Sequence, residues 1–182
     1  MQVEVSQLDE ALFLWINQFN TPITDAFWLL VTQPLNWLPL YIAVIVLLFN
    51  KQKLTIGIYQ LLALGTTVII THLITRSVKH LISRPRPNSV QHIAEQANII
   101  FEPQHYSFFS GHASTSFAAS IFIYLLLKSR YSRIGFIFIW PVLFSTSRLF
   151  VGVHYPSDII VGACFGVLMG NLSYRLYGLC LK

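Results

Sequence analysis

Residues 147–158, SRLFVGVHYPSD, put an Arg, a His and an Asp within twelve residues of a chain whose charged content is 10%. Pro156 suits the first position of a helix. Asp158 then falls in that helix's first turn, where the dipole favours an acid, and His154 in the turn before it. A carboxylate that holds one imidazole N–H fixes the tautomer and leaves the other nitrogen as nucleophile or base. A second stretch, KHLISRPRP, ends an apolar helix at Lys79, and Arg84 and Arg86 each precede a proline. Residues before proline leave the helical region, so both guanidinium groups can swing back over the helix end. Lys with Arg suits a phosphate, because Arg forks onto two oxygens and Lys adds a mobile point charge. In the third stretch, FFSGHAST, Ser110 is a natural N-cap and Gly111 lets a ligand approach the backbone. A helix N-terminus binds anions, and His112 stands in its first turn beside any anion held there.

The elements that carry these stretches are set by composition. Of 182 residues 54% are hydrophobic and 14% aromatic, and the mean hydropathy is +0.60, which excludes an ordinary soluble domain. Apolar stretches at 35–49, 54–78, 113–127, 134–151 and 157–174 read as five membrane spans. The first 32 residues, broken at Asn20-Thr21-Pro22, read as one broken span or an interfacial helix. The expectation is therefore an all-α integral membrane bundle of about six transmembrane helices, with residues 1–182 as one membrane-embedded domain. The first 50 residues hold no Lys or Arg, so a cleaved signal peptide is not expected and the mature chain is read as starting near Met1. Cys164 and Cys180, about 24 Å apart along one helix, are not expected to pair.

Charge orients the bundle. Seven of the twelve Lys and Arg, including Lys51, Lys53, Arg175 and Lys182, fall on one side, which the positive-inside tendency makes cytoplasmic. The net charge of +5 is thus spread over membrane connections, and no nucleic acid partner is expected. Lys79, Arg84, Arg86, His112, Arg148, His154 and Asp158 converge on the opposite face. Ionisable groups gathered in this way mark a site. Residues 84–110 form the one long connection, placed to cover the site or select its substrate. Gly162, Gly166 and Gly170 recur at intervals of four and read as close packing inside the bundle or as a dimer seam. His72, Arg76 and His80 share a helical face near Lys79, as lining of the site or as satisfied polar groups. Arg84 is a candidate substrate contact. His92, Glu95, Glu102 and His105 match no metal-ligand spacing.

Taken in order, these stretches resemble the three motifs of the type 2 phosphatidic acid phosphatase superfamily. Lys79 with Arg86-Pro87 matches the first. Ser110-Gly111-His112 matches the second, with Phe109 where the family has Pro. Ser147, Arg148, His154 and Asp158 match the third in full. The resemblance implies hydrolysis of a membrane lipid phosphate through a phosphohistidine, with no metal and no cofactor. His154 would attack phosphorus, Asp158 would orient it, and His112 would protonate the leaving group. Lys79, Arg86, Ser110, Gly111 and Arg148 would hold the phosphoryl oxygens. The implied substrates are lipids of the undecaprenyl diphosphate, phosphatidylglycerophosphate or phosphatidic acid type, with lipid A phosphates as an alternative. The implied location is the bacterial inner membrane, with the site on the periplasmic side. A phosphotransferase with a polyprenyl diphosphate donor stays open beside the hydrolase, and a non-enzymatic scaffold is disfavoured by the intact histidines.

Overall fold

The structure is a computed structural model that describes residues 2–103 and 105–180, the side chains of residues 2–6 excepted. Met1 and Lys182, the expected start and one of the cytoplasmic-side basic residues, lie outside the described residues. Among the described residues eight α-helices follow one another: α1 (Gln2–Asn17), α2 (Pro22–Thr32), α3 (Leu38–Phe49), α4 (Leu54–Ile82), α5 (Gln91–Ala94), α6 (Gly111–Leu127), α7 (Ile139–Phe150) and α8 (Pro156–Cys180). Short 3₁₀ turns lead into α3 and α7 at Pro34–Trp37 and Ile134–Phe138.

The all-α expectation holds among the described residues, but the expected count of about six spans does not. Two segments, Leu54–Ser89 and Pro156–Cys180, are long and apolar enough to cross a membrane. A third is added only if α2 and Pro34–Phe49, bent by 71° at their junction, count as one. Length is the physical reason. Gly111–Leu127 is a 17-residue helix, and Ile134–Phe150 is also short. At 1.5 Å per residue each reaches about 25 Å, less than the roughly 30 Å hydrocarbon core. Hydropathy counted apolar residues there; the helices end before the apolar stretch has the length to span.

Local sequence explains where the elements stop. Thr21 and Thr24 form a reciprocal capping box at the start of α2, with Pro22 in the first turn. At its far end Pro34 offers no N–H, and side-chain donors reach the last carbonyls: Asn36 Nδ2 bonds Leu30 O at 2.7 Å, beside a longer bond from the Gln33 amide, and Trp37 Nε1 bonds Val31 O at 2.8 Å. Helix α4 closes at Ser83 in the left-handed region, φ 52°, and the Arg-Pro-Arg-Pro run follows. Gly152, φ +82°, makes the turn out of α7, where a Cβ would lie 2.8 Å from Ile99 and 3.0 Å from Asn98 O.

Helices α6 and α8 pack most closely. A Cβ on Gly162, Gly166 or Gly170 would come within 2.8, 2.4 or 2.6 Å of the carbonyls of Ser110, Ser114 and Ala118. The glycine ladder therefore serves packing inside the bundle, by close backbone approach. A buried hydrogen bond of 2.9 Å between Thr75 and Ser114 ties α4 to α6. Val44, Leu48, Ile123, Leu127, Trp140 and Phe144 fill the core at one end, and Phe13, Ile93 and Tyr155 fill a smaller one under α5. Outward faces stay apolar, with Leu62, Ile69, Leu73 and Leu168 exposed, as a lipid-facing surface requires. Cys164 and Cys180 are free.

Candidate active site

The third motif forms around the start of α8. His154 is buried, with Nδ1 3.1 Å from Asp158 Oδ2 and Nε2 3.3 Å from Arg86 Nη1. A carboxylate only accepts and a guanidinium only donates. The two contacts therefore fix one tautomer: Nδ1 carries the proton and Nε2 the lone pair. Burial first, then the charges of Arg86, Lys79, Arg148 and Arg84, push the His154 pKa well below its ordinary 6.5. The imidazole is thus neutral at physiological pH with its lone pair turned toward the cations.

Asp158, fully buried, is held on every side. Besides His154, it accepts from Tyr155 N at 3.0 Å through Oδ2 and from Arg84 Nη1 at 3.0 Å through Oδ1. Arg84 in turn donates to Asp9 Oδ2 at 2.7 Å and to Ser157 Oγ at 2.8 Å, and lies over the Tyr155 ring at 4.0 Å. Asp9, on α1, also accepts from the Ser157 amide at 2.9 Å and from its hydroxyl. Arg84 is therefore a brace behind the His–Asp pair; its guanidinium is spent on two carboxylates and a hydroxyl, against the expectation of a substrate contact.

The remaining predicted residues gather in front of His154. Arg86 donates to Val153 O at 2.8 Å and to His105 O. Lys79 Nζ donates to Tyr106 O at 3.0 Å and Ser107 O at 2.7 Å. The 84–110 connection thus lays its 105–107 carbonyls over two of the three cations. Arg148 is buried and donates from Nη1 to Thr32 Oγ1 at 2.7 Å. Its Nε is also buried and has no hydrogen-bond partner among the described residues, an open donor that an anion would satisfy. Ser110 caps α6, and a Cβ on Gly111 would meet nothing within 4 Å. Packing does not require that glycine, and the space beside its Cα is open. His112 stacks on Phe144, ring centroids 4.3 Å apart, and its Nε2 donates to Thr32 O at 3.3 Å. Phe109, in place of the family's Pro, is buried against Phe165.

All eight predicted site residues therefore converge, and two that sequence reasoning missed join them. Thr32 engages both Arg148 and His112, its carbonyl free because α2 ends there. Asp9 braces Arg84 and Ser157. The adjacent acids Asp9 and Glu10 at the head of the apolar run LDEALFLWI were its only signal, since a buried charge needs a partner.

Residues 59–181 match the PAP2 superfamily. The chain belongs to it. Over 174 residues it is 29% identical to the lipid A 4'-phosphatase of Bacteroides thetaiotaomicron, covering 93% of this chain and 77% of that one. The crystal structure of a transmembrane PAP2-type phosphatidylglycerolphosphate phosphatase from Bacillus subtilis superposes with TM-score 0.74 at 23% identity, covering 98% of this chain and 88% of the other, a likeness of fold. That of Aquifex aeolicus LpxE superposes with TM-score 0.70 at 26% identity, covering 91% and 93%. This PAP2 protein is thus a phosphatase acting on lipid phosphates or diphosphates, and a multi-pass membrane protein with bacterial relatives. Among the described residues no group of three or more His, Cys, Asp or Glu is placed to hold a metal ion.

Proposed function

We propose that residues 1–182 act as one domain that cleaves a lipid phosphate or diphosphate through a phosphohistidine on His154, at the periplasmic face of a bacterial inner membrane. The reading rests above all on the fixed tautomer, with Asp158 on Nδ1 and a cation facing the Nε2 lone pair. In the first step that lone pair attacks phosphorus while His112, charged once bound phosphate offsets the burial and the Arg148 and Arg86 charges that lower its pKa, gives its Nδ1 proton to the departing oxygen and keeps Nε2–H on Thr32 O. In the second, water attacks the phosphohistidine, its proton goes to His112, and the P–N electrons return to His154. Lys79, Arg86 and Arg148 offset the phosphoryl charge together with the Gly111 amide and Ser110. Phosphoryl transfer asks mainly for such positioning and charge stabilisation. The same cations that bind phosphate also keep His154 unprotonated, so one cluster serves both needs.

The substrates that suit this reading are undecaprenyl diphosphate, phosphatidylglycerophosphate and phosphatidic acid. Lipid A phosphates are a second class, favoured by the name of the Bacteroides relative. Trapping with ³²P-labelled substrate in chelator tests the mechanism. Label is expected on the wild type and on His112→Ala, the latter with turnover slowed about 10²- to 10⁴-fold, and none on His154→Ala. Equal label on His154→Ala overturns the assignment.

A further inference from the structure

Next to the phosphoryl cradle lies a cavity of about 310 Å³, lined by Lys79 and Arg86 of that cradle and also by His72, Arg76, His80 and His105. Its lining contains three Lys or Arg and three His, and no acid. The volume falls at the small end for ligand pockets. Arg76 is exposed, and it makes no hydrogen bond or ion pair among the described residues. It lies six residues before the end of α4, about 9 Å below the helix end. An ionisable group without a partner on a spanning helix is a candidate functional group. Snorkelling to the water layer would explain an Arg facing lipid, but this one faces the cavity that Lys79 and Arg86 share.

The spacing says what the cavity is placed to take. His72, Arg76 and His80 recur every four residues and form one stripe along α4, and Arg76 lies three residues from Lys79. Side chains so related stand about 5–6 Å apart at Cβ, close enough for a long Lys and a long Arg to reach adjoining phosphates. The stripe runs from Lys79 toward the membrane interior, the side on which a leaving lipid must lie. His72 and Gly111 then line a second, apolar cavity of about 640 Å³ between α3, α4 and α6, which runs on past Val68 and Ala119.

We propose that Arg76, flanked by His72 and His80, forms a second anion subsite that holds the α-phosphate of a lipid diphosphate while the β-phosphate is cleaved. The proposal rests on the phosphohistidine reading above and names the substrate class of that site. His154 Nε2 bonds to the β-phosphorus, and the bond from that phosphorus to the bridging oxygen breaks. The oxygen leaves on the α-phosphate, with a proton from His112, as the lipid monophosphate. Arg76 offsets the charge that gathers on this leaving group, which a monophosphate substrate never presents in the same place.

The test uses the full chain in detergent with farnesyl diphosphate and farnesyl monophosphate, which share one chain and differ by one phosphate. Phosphate release should give the wild type a higher kcat/KM on the diphosphate. Arg76→Ala should lose about tenfold or more there, as expected for a lost charged hydrogen bond, and stay within about threefold on the monophosphate. Arg76→Lys should recover part of the loss, and His72→Ala with His80→Ala should show a smaller loss of the same selectivity. An equal loss on both substrates, or no loss on either, overturns the subsite and leaves the phosphohistidine reading intact. Phosphate release by His154→Ala would overturn that underlying reading instead.

Discussion

Replacing Asp158 by Asn removes a charge and keeps the shape, and the structure sets what that costs. The carboxylate accepts from His154 Nδ1, from the Tyr155 amide and from Arg84 at 3.0–3.1 Å. An amide cannot accept all three, because one of its ends donates. If the oxygen stays with His154 and Tyr155, the NH₂ faces Arg84. If it turns, the NH₂ faces His154, and the imidazole must move its proton onto Nε2, where the attacking lone pair belongs. In neither orientation does a negative charge remain to stabilise the ring as Nε2 bonds to phosphorus and the imidazole becomes cationic. Protonation of His154 is not the cause, since losing a neighbouring carboxylate lowers its pKa further. Losing one charge-assisted hydrogen bond is worth about 1.5–3 kcal/mol, or roughly 10- to 150-fold. The wrong tautomer costs about 10⁴-fold in triad hydrolases. The expected fall in kcat therefore lies between about 10- and 10⁴-fold, with KM little changed. Rapid-quench measurement of phosphoenzyme formation isolates the attacking step, and thermal unfolding checks that Arg84, still paired with Asp9 at 2.7 Å, keeps the fold. A folded Asp158→Asn that forms phosphoenzyme at the wild-type rate would refute the orienting role.

Two further outcomes follow from the same geometry. Asp9→Ala leaves Arg84 and the Ser157 amide without their α1 partner; breaking a buried pair costs about 3–5 kcal/mol, so unfolding should come at markedly lower temperature. The milder Asp9→Asn should lower kcat more than it raises KM, because Asp9 touches Arg84 and Ser157 and no predicted phosphate-binding residue. A folded Asp9→Asn with wild-type kcat would remove Asp9 from the brace. For pH, His154 has a folded pKa pushed below the ordinary 6.5, so the unfolded chain binds its proton first as pH falls. Its contribution to stability is full above about 6.5 and declines below it. Melting temperature in detergent should drop more between pH 7.5 and 5 in the wild type than in His154→Gln; parallel profiles would contradict a buried neutral imidazole.

The family and the residues that converge were legible in the sequence because each motif is local. Pro156 and Asp158 announce a helix start, the Arg-Pro-Arg-Pro run announces a helix end, and Ser110-Gly111 announces an N-terminus. Hydropathy read the number of spans less well because it does not register helix breaks. Pro34–Trp37 and Ile134–Phe138 form 3₁₀ turns at the start of runs that are mostly apolar, and α6 stops at 17 residues. Asp9 and Thr32 were out of reach for a different reason. Each meets its partners more than 70 residues away, and no local spacing encodes such a meeting.

That distance carries a consequence for how the motifs work. The family match begins at residue 59, and all three motifs lie inside it, yet the groups that hold them in place come from before it. Asn17 Nδ2 bonds Leu149 O at 3.3 Å, alongside the Gly152 amide, and Asn20 Nδ2 bonds Phe150 O at 2.7 Å, a carbonyl that the end of α7 leaves open. Thr32 holds Arg148 and His112, and Asp9 holds Arg84 and Ser157. The side chains of the candidate site project from the ends of α4, α6, α7 and α8, where helices fray most readily. An imidazole whose tautomer depends on one carboxylate tolerates little of that motion. Helices α1 and α2 therefore act as a clasp across four helix ends, and the precision of the site depends on a segment that carries none of the three motifs.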